Sequence, residues 1–475
     1  MIRLTALYLF VAGLMLLSIR RWFLALCGLL FLTVIMQHPS MPREIAGFQG
    51  LNPWNAAFLF IFIMWLVNRR TDPPRAGTSI HAGIVFVSFV TILVLAGLVA
   101  VTDARAIKSD MGVQLSIKDV LIETIVNPLK FLIVGLMFYD GATTRGRIRQ
   151  ALFAAVSSGM VYAALMYKTM KLGVFTMDFS AARRATDKLI GLYANDMAEV
   201  LAFSMWGAVF LVFLIHRNVL RIPWLVATAA IVPAFLSLKS RAGFLAFALT
   251  GMALGALRWR KILLALPITV LLVVLFAPDV VDRVMTGVSS EGPVEHDWDA
   301  ISAGRTTYLW PAALAQIGQS PIVGHGRLAI LRTGSFDTIL DALGRVPAHP
   351  HSSYLEILLD AGAVGLIVCL ACIVGIFRAS WRLLRERNDP LMTTIGAVGV
   401  IAIVTELSAG VAGSSFYPSQ SAVPYLCVWG VAVRVAREKA VWAEAAGRIA
   451  VVAAAPPTID LEPVAPQGDS RPCPG

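Results

Sequence analysis

Charge is scarce in this chain. Asp, Glu, Lys and Arg make up 15% of its 475 residues, against about 25% in soluble globular proteins, which excludes an ordinary soluble enzyme. Cysteine is scarce too. Of Cys27, Cys369, Cys372, Cys427 and Cys473, the first four lie in apolar runs, so no disulfide framework is expected. Cys369-Leu-Ala-Cys372 has the spacing of a redox or metal motif, but in an apolar run thiols behave as small apolar side chains. There is no Walker A loop, Rossmann glycine fingerprint, HExxH or selectivity-filter motif, which argues against an ATP-driven pump. No internal repeat is visible, which argues against the repeat-built transporters. The stretch from Met1 to Met36 has no A-x-A cleavage site and more apolar runs follow, so a cleavable signal peptide is not expected.

Apolar residues are abundant, at 57% of the chain, with a mean hydropathy of +0.74. A membrane-crossing helix needs about 20 predominantly apolar residues. Blocks of this kind fall near 4–19, 22–37, 54–67, 80–101, 120–139, 150–168, 197–215, 222–238, 242–257, 261–277, 354–377, 391–410 and 421–436. The first two are short and separated by Arg20 and Arg21, as a tight hairpin or one interrupted element. The expected fold is an all-α polytopic membrane protein of about 12 transmembrane helices. Its parts are helices with short loops over 1–277, a large loop over 278–353, further helices over 354–436 and a disordered tail over 437–475.

Net charge is +11. Its placement points to loop orientation, not to nucleic acid. Arg69, Arg70 and Arg75; Arg145, Arg147 and Arg149; Arg217 and Arg221; Arg258, Arg260 and Lys261; Arg378, Arg382, Arg385 and Arg387; and Arg434, Arg437 and Lys439 fall in alternate loops. The positive-inside rule then puts all of them, with the C-terminus, in the cytoplasm. The opposite loops face out. The largest, 278–353, holds eight acidic residues, five arginines and the histidines His296, His325, His349 and His351. A structureless loop of that length would be unusual, so a partly helical lid is expected. Phe179–Val200, in a second outward loop, reads as an interfacial helix, with Glu199 at the interface.

Three segments on the outward side can carry chemistry. Lys239-Ser240-Arg241-Ala242-Gly243-Phe244-Leu245 puts Arg241 at the membrane edge, either as a snorkelling anchor or as a clamp for an anion, since the guanidinium fork suits phosphate oxygens. Ala303-Gly304-Arg305-Thr306-Thr307-Tyr308-Leu309-Trp310 precedes Ser320-Pro321-Ile322-Val323-Gly324-His325-Gly326, where Pro and Gly force a turn. Arg305 is a solvated loop charge or a second clamp, and His325 fits turn chemistry better than ligation. Ala348-His349-Pro350-His351-Ser352-Ser353 leads into Tyr354–Gly362. Ser352 or Ser353 can cap the new helix, and His351 at its mouth can be neutral at pH 7 and act as a general base. Glu356 and Asp360 share one face of that helix. The H-x-H spacing lacks further ligands for a metal. Glu406, an acid within an apolar run, needs a partner or an aqueous cavity. Two arginines and a histidine on the face away from ATP suit a preactivated, diphosphate-linked donor.

At these residues the sequence resembles the bacterial O-antigen ligase and polymerase superfamily. Arg241 and Leu245 meet its R-x3-L pattern, His351 and Gly362 its H-x10-G pattern, and Arg305 falls where the family has a further essential arginine. The GRTTYLW and SPIVGHG segments match its gR…W and P-x-x-G-x-G patterns. Ser352 departs from the Asn found in many members. The resemblance implies a glycosyltransferase of the Gram-negative inner membrane with its site facing the periplasm. Its donor is O-antigen polysaccharide on undecaprenyl diphosphate, and its acceptor is a sugar hydroxyl of lipid A–core. His351, Arg305 and Arg241 are the implied catalytic residues, the two arginines binding the donor diphosphate. His349, Glu356 and Glu406 are possible supports, and no metal or cofactor is implied. A polymerase would use the same donor with another lipid-linked glycan as acceptor.

Overall fold

The structure, a computed structural model, describes residues 2–45, 47–71, 80–108, 114–170, 179–276, 278–285, 305–343 and 346–454. His296, Ala303, Gly304, Cys473 and the Pro-rich stretch 456–475 lie outside the described residues. The long elements are α1 (Ile2–Val34), α2 (Pro53–Thr71), α3 (Ile80–Thr102), α4 (Ile117–Gly141, with a π turn over Ile122–Val126), α5 (Arg145–Met170), α6 (Phe179–Ile190) and α7 (Ala194–Leu211). They continue as α8 (Asn218–Ala229), α9 (Ile231–Ser237), α10 (Arg241–Leu257), α11 (Lys261–Phe276) and α12 (Pro278–Met285). The last are α13 (Trp310–Gln319, preceded by a π turn over Arg305–Leu309), α14 (Ser335–Leu343), α15 (Ser353–Leu384), α16 (Pro390–Ala409) and α17 (Val423–Ala454). The β-structure among the described residues is a two-residue antiparallel pair, Glu44–Ile45 with Phe48–Gln49, and an isolated antiparallel bridge between Lys108 and Gln114.

Eight helical stretches among the described residues are long and apolar enough to cross a membrane, and α10 and α11 are shorter apolar helices. The chain is an all-helical polytopic membrane protein. An all-helical solution follows from the solvent, because hydrocarbon satisfies no backbone polar group and a helix satisfies its own. The first two apolar blocks form a single helical element broken at Arg21 (φ −142°, ψ 62°). Leu14 packs where a side chain on Gly28 would stand. Residues fourteen apart meet only if the chain doubles back, so the two blocks are a hairpin. Its second half is buried and its first half largely exposed. The final helix does not stop near 437 but runs to Ala454.

The main core joins the inner half of α1 with α2, α4, α5, α7, α16 and α17. Small residues let these helices approach, as membrane helices require: a Cβ on Gly430 would stand 2.5 Å from the Gly135 carbonyl oxygen. A second, separate core joins Leu309, Ala313, Leu328–Leu331, Phe336 and Ile339 to Ala100, Ala104 and Ile107 at the end of α3. The described parts of residues 278–353 are therefore partly helical and pack in a core shared with the end of α3.

The basic loops meet at one end of the bundle. Arg69 pairs with Asp140 at 3.2 Å and Arg145 with Asp389 at 2.7 Å. Lys439 pairs with Glu386, and Arg258 donates to the Leu384 carbonyl. The loops carrying Arg241, Arg305 and His351 lie at the other end.

Candidate functional site

Helix α15 is broken at Gly362 (φ 64°, ψ −166°). Such a break leaves carbonyls before it and N–H groups after it without partners in the helix. The loop Pro321–Gly326 satisfies two of each. His325 and Gly326 N–H donate to the Leu359 and Asp360 carbonyls at 2.8 and 2.7 Å, and Ala363 and Val364 N–H donate to the Pro321 and Ile322 carbonyls at 2.8 and 3.2 Å. Only glycine tolerates this backbone at 362, and a Cβ there would collide with the Ile322 carbonyl group. Gly324 (φ 69°) is equally constrained, its Cβ position lying 2.5 Å from the Ala361 nitrogen. These contacts are the physical content of the P-x-x-G-x-G segment and of the glycine ending H-x10-G. His325 serves the turn, its Nε2 2.8 Å from the Gln316 carbonyl.

Immediately after this loop comes a group that sequence reading missed. Arg327 is 6% exposed. Its guanidinium donates to Glu356 Oε1 at 2.9 Å and to Asp360 Oδ2 at 3.0 Å, and it lies 3.5 Å from the centroid of the Tyr417 ring. Burial alone would lower its pKa, but Tyr417, Asp360 and Glu356 outweigh that and keep it protonated. Glu356 and Asp360 are thus the acidic half of a buried ionic cluster. Glu356 Oε2 has no hydrogen-bond partner. The i, i+4 spacing of the two acids was the available signal; the arginine 29 residues before Glu356 carried none.

This cluster underlies the mouth of α15. His351 adopts φ +52°, a conformation a non-glycine residue holds only when its surroundings impose it. Its backbone N–H donates to His349 Nδ1 at 3.2 Å, and the two rings meet edge to face at 4.4 Å. With Nδ1 accepting, neutral His349 carries its proton on Nε2. Burial lowers the His349 pKa; Glu356 opposes this, and the charges of Arg327 and Arg305 lower it further. His349 is therefore a neutral imidazole at pH 7. Trp310 Nε1 donates to the Pro350 carbonyl between the histidines at 3.0 Å.

Arg305 opens the π turn before α13 and donates to the Ala412 carbonyl at 3.2 Å. Ser353 reaches the same loop. Its N–H donates to the Gly410 carbonyl at 2.8 Å, its hydroxyl donates to the Gly413 carbonyl at 3.1 Å, and the Ser415 N–H donates to that hydroxyl at 2.7 Å. The expected helix cap is not made. Ser352 occupies the cap position without a side-chain bond, because Ser353 is used to tether the loop after α16. Arg305 and Ser353 thus bond the same loop, 410–415, and His349, which pairs with His351, lies within electrostatic reach of Arg305.

Arg241 begins α10, one helix away. Ser240 caps this helix by accepting from the Gly243 N–H at 3.2 Å and donates to Asn195 Oδ1 at 2.9 Å. Lys239, just before, has φ +47°. A Cβ on Gly243 would stand 2.5 Å from the Ala198 methyl, so α10 packs tightly on α7. Glu199 of α7 is buried at 4% exposure, not interfacial, because α7 is an inner helix of the bundle. Its Oε1 lies 3.8 Å from the Cβ position of Gly413, under the loop that accepts from Arg305. Glu406 is buried likewise and lies within electrostatic reach of Asp196 and Glu199. Among the described residues, no group of three His, Cys, Asp or Glu is placed to hold a metal ion.

No curated protein matches the chain. Residues 226–370 match the family model described as O-Antigen ligase, a segment that contains Arg241, Arg305 and His351.

Proposed function

We propose that this protein is an O-antigen ligase of the Gram-negative inner membrane. It transfers O-antigen polysaccharide from undecaprenyl diphosphate to a sugar hydroxyl of lipid A–core on the periplasmic face, with its C-terminus in the cytoplasm. The observation that carries the reading is that Arg305 and the helix mouth at His351–Ser353, both inside the segment 226–370 that matches the family, are bonded to one loop, 410–415, through Arg305 and Ser353.

His351 takes the proton from the acceptor hydroxyl as its oxygen attacks the anomeric carbon of the donor. The bond from that carbon to the diphosphate oxygen breaks, and undecaprenyl diphosphate leaves with the electron pair. Direct displacement inverts the anomeric centre. Arg241 and Arg305 face the charge that grows on the leaving diphosphate, where fixed donors stabilise the transition state more than the ground state. His349 supports this role because a neutral imidazole adds no competing charge. The large loop excludes water, which would otherwise hydrolyse the donor. Glu356, through Arg327, and Glu406, beside Glu199, support the loops from below.

Purified protein reconstituted with undecaprenyl-diphosphate-linked glycan and lipid A–core, without ATP or added metal, tests the reading by mass analysis of both lipids. Glycan on lipid A–core is the expected result. Longer glycan still on undecaprenyl diphosphate, with lipid A–core unchanged, would identify a polymerase instead.

A further inference from the structure

At the end of the bundle away from His351, α8 leaves the body of the protein. None of its twelve residues is buried, although Val219, Leu220, Ile222, Leu225 and Val226 are large and apolar. The edge-to-face contact of Trp224 with Phe153, at 4.9 Å between ring centroids, and the bond from Trp224 Nε1 to the Ala208 carbonyl at 2.9 Å hold it against α5 and α7. Between these helices lies an apolar groove of about 620 Å³, floored by Phe153, Leu214, Trp224 and Ala227.

The rim of this groove is cationic. His216 and Arg217 line its mouth. Arg221 is held beside it by a bond from its Nε to the Ile215 carbonyl at 2.9 Å. Arg217 is exposed and makes no ion pair or side-chain hydrogen bond among the described residues. The sequence has no Asp or Glu between Glu199 and Asp279. At this end of the bundle Asp389 and Glu386 are already paired with Arg145 and Lys439. An unanswered guanidinium therefore stands over an apolar slot, in a stretch of chain without anions.

We propose that the groove is a binding site for an anionic phospholipid, its acyl chain in the slot and its phosphate on Arg217 and Arg221. A lipid tail is the apolar occupant a membrane supplies to such a slot. The charge at the mouth selects the headgroup, since a basic residue near the surface favours anionic over zwitterionic lipid and arginine matches phosphate oxygens in geometry as well as charge. The site is separate from the one around His351 and does not depend on the reaction proposed for it.

The full chain in detergent, titrated with phosphatidylglycerol or phosphatidylethanolamine of matched acyl chains and read by native mass spectrometry, tests the proposal. One retained phosphatidylglycerol is expected, with phosphatidylethanolamine retained less. Arg217→Gln lowers retention about fivefold. Ala227→Trp, which fills the slot and leaves the charge, lowers it as well, while Arg260→Gln, at the same end but outside the groove, leaves it unchanged. Melting temperatures verify that each variant is folded. Equal retention of both lipids, or phosphatidylglycerol retention untouched by Ala227→Trp, overturns the proposal.

Discussion

On the side of the candidate site formed by α15 and the loop 321–327, the Arg327 guanidinium lies within 3.5 Å of Glu356, Asp360 and the centroid of the Tyr417 ring, and four backbone bonds stitch the loop into the broken helix. On the side formed by α10, Arg241 rests on a helix held by close packing: Gly243 against Ala198, with the Ser240 hydroxyl on Asn195. The first wall is fixed by charge and hydrogen bonds, the second by the absence of side-chain volume. Under the proposed function each suits what it carries. A base needs a defined orientation, which directional bonds supply. Under the proposed function, the arginine that faces the diphosphate needs reach, and Arg241 stands at the first position of its helix.

The largest expected effects make both walls necessary at once. Under the proposed function, Arg241→Ala and Arg305→Ala each reduce transfer by at least about a hundredfold in the reconstituted assay, with the protein still folded. Loss from only one of them would mean that only one wall faces the diphosphate.

Next comes the charged wall itself. Arg327→Met leaves two buried carboxyls without their partner and lowers stability by about 3–5 kcal/mol, measured by thermal unfolding in detergent. The triple change Arg327→Met, Glu356→Gln, Asp360→Asn regains much of it. If the single change costs nothing, the contrast between the walls fails.

Gly243→Val tests the packed wall. It forces a side chain into Ala198 and Phe235, costs about 1–3 kcal/mol and displaces Arg241, so transfer falls in the same assay. Because it leaves Arg327 untouched, its effect adds to that of Arg327→Met, as expected for separate contacts.

The smallest effect concerns pH. His349 has its pKa lowered from the ordinary 6.5 by burial. The unfolded chain therefore binds a proton that the folded chain resists, and the stability this contributes is full above about pH 6.5 and lost as pH falls below it. The stability of the protein relative to His349→Asn should shrink as pH is lowered from 7.5 to 5.5. A difference flat across that range would mean that His349 is charged or exposed.

Much of this was legible in the sequence, for reasons particular residues make plain. Apolar runs of membrane length mark helices because bilayer thickness sets their length, and the arginines of alternate loops do meet at one end of the bundle. Arg305 and His351 were singled out by the segments that hold them and the family patterns those segments meet. What was hidden depends on contacts distant in sequence. Glu356 and Asp360 announce a charged helix face, but nothing marks Arg327 as their partner. Glu199 looked interfacial because it starts an apolar block; its burial depends on which helices surround α7. Ser353 looked like a cap because local sequence cannot show the loop at 410–415 competing for its hydroxyl. The hairpin at Arg21 was one of two open readings, settled by Leu14 meeting Gly28.

The central claim, that His351 is the base of a glycan transfer, is tested most directly by purified His351→Ala protein in the reconstituted system with undecaprenyl-diphosphate-linked glycan and lipid A–core. The account predicts folded protein and no glycan on lipid A–core. Transfer at the rate of the unaltered protein would contradict it.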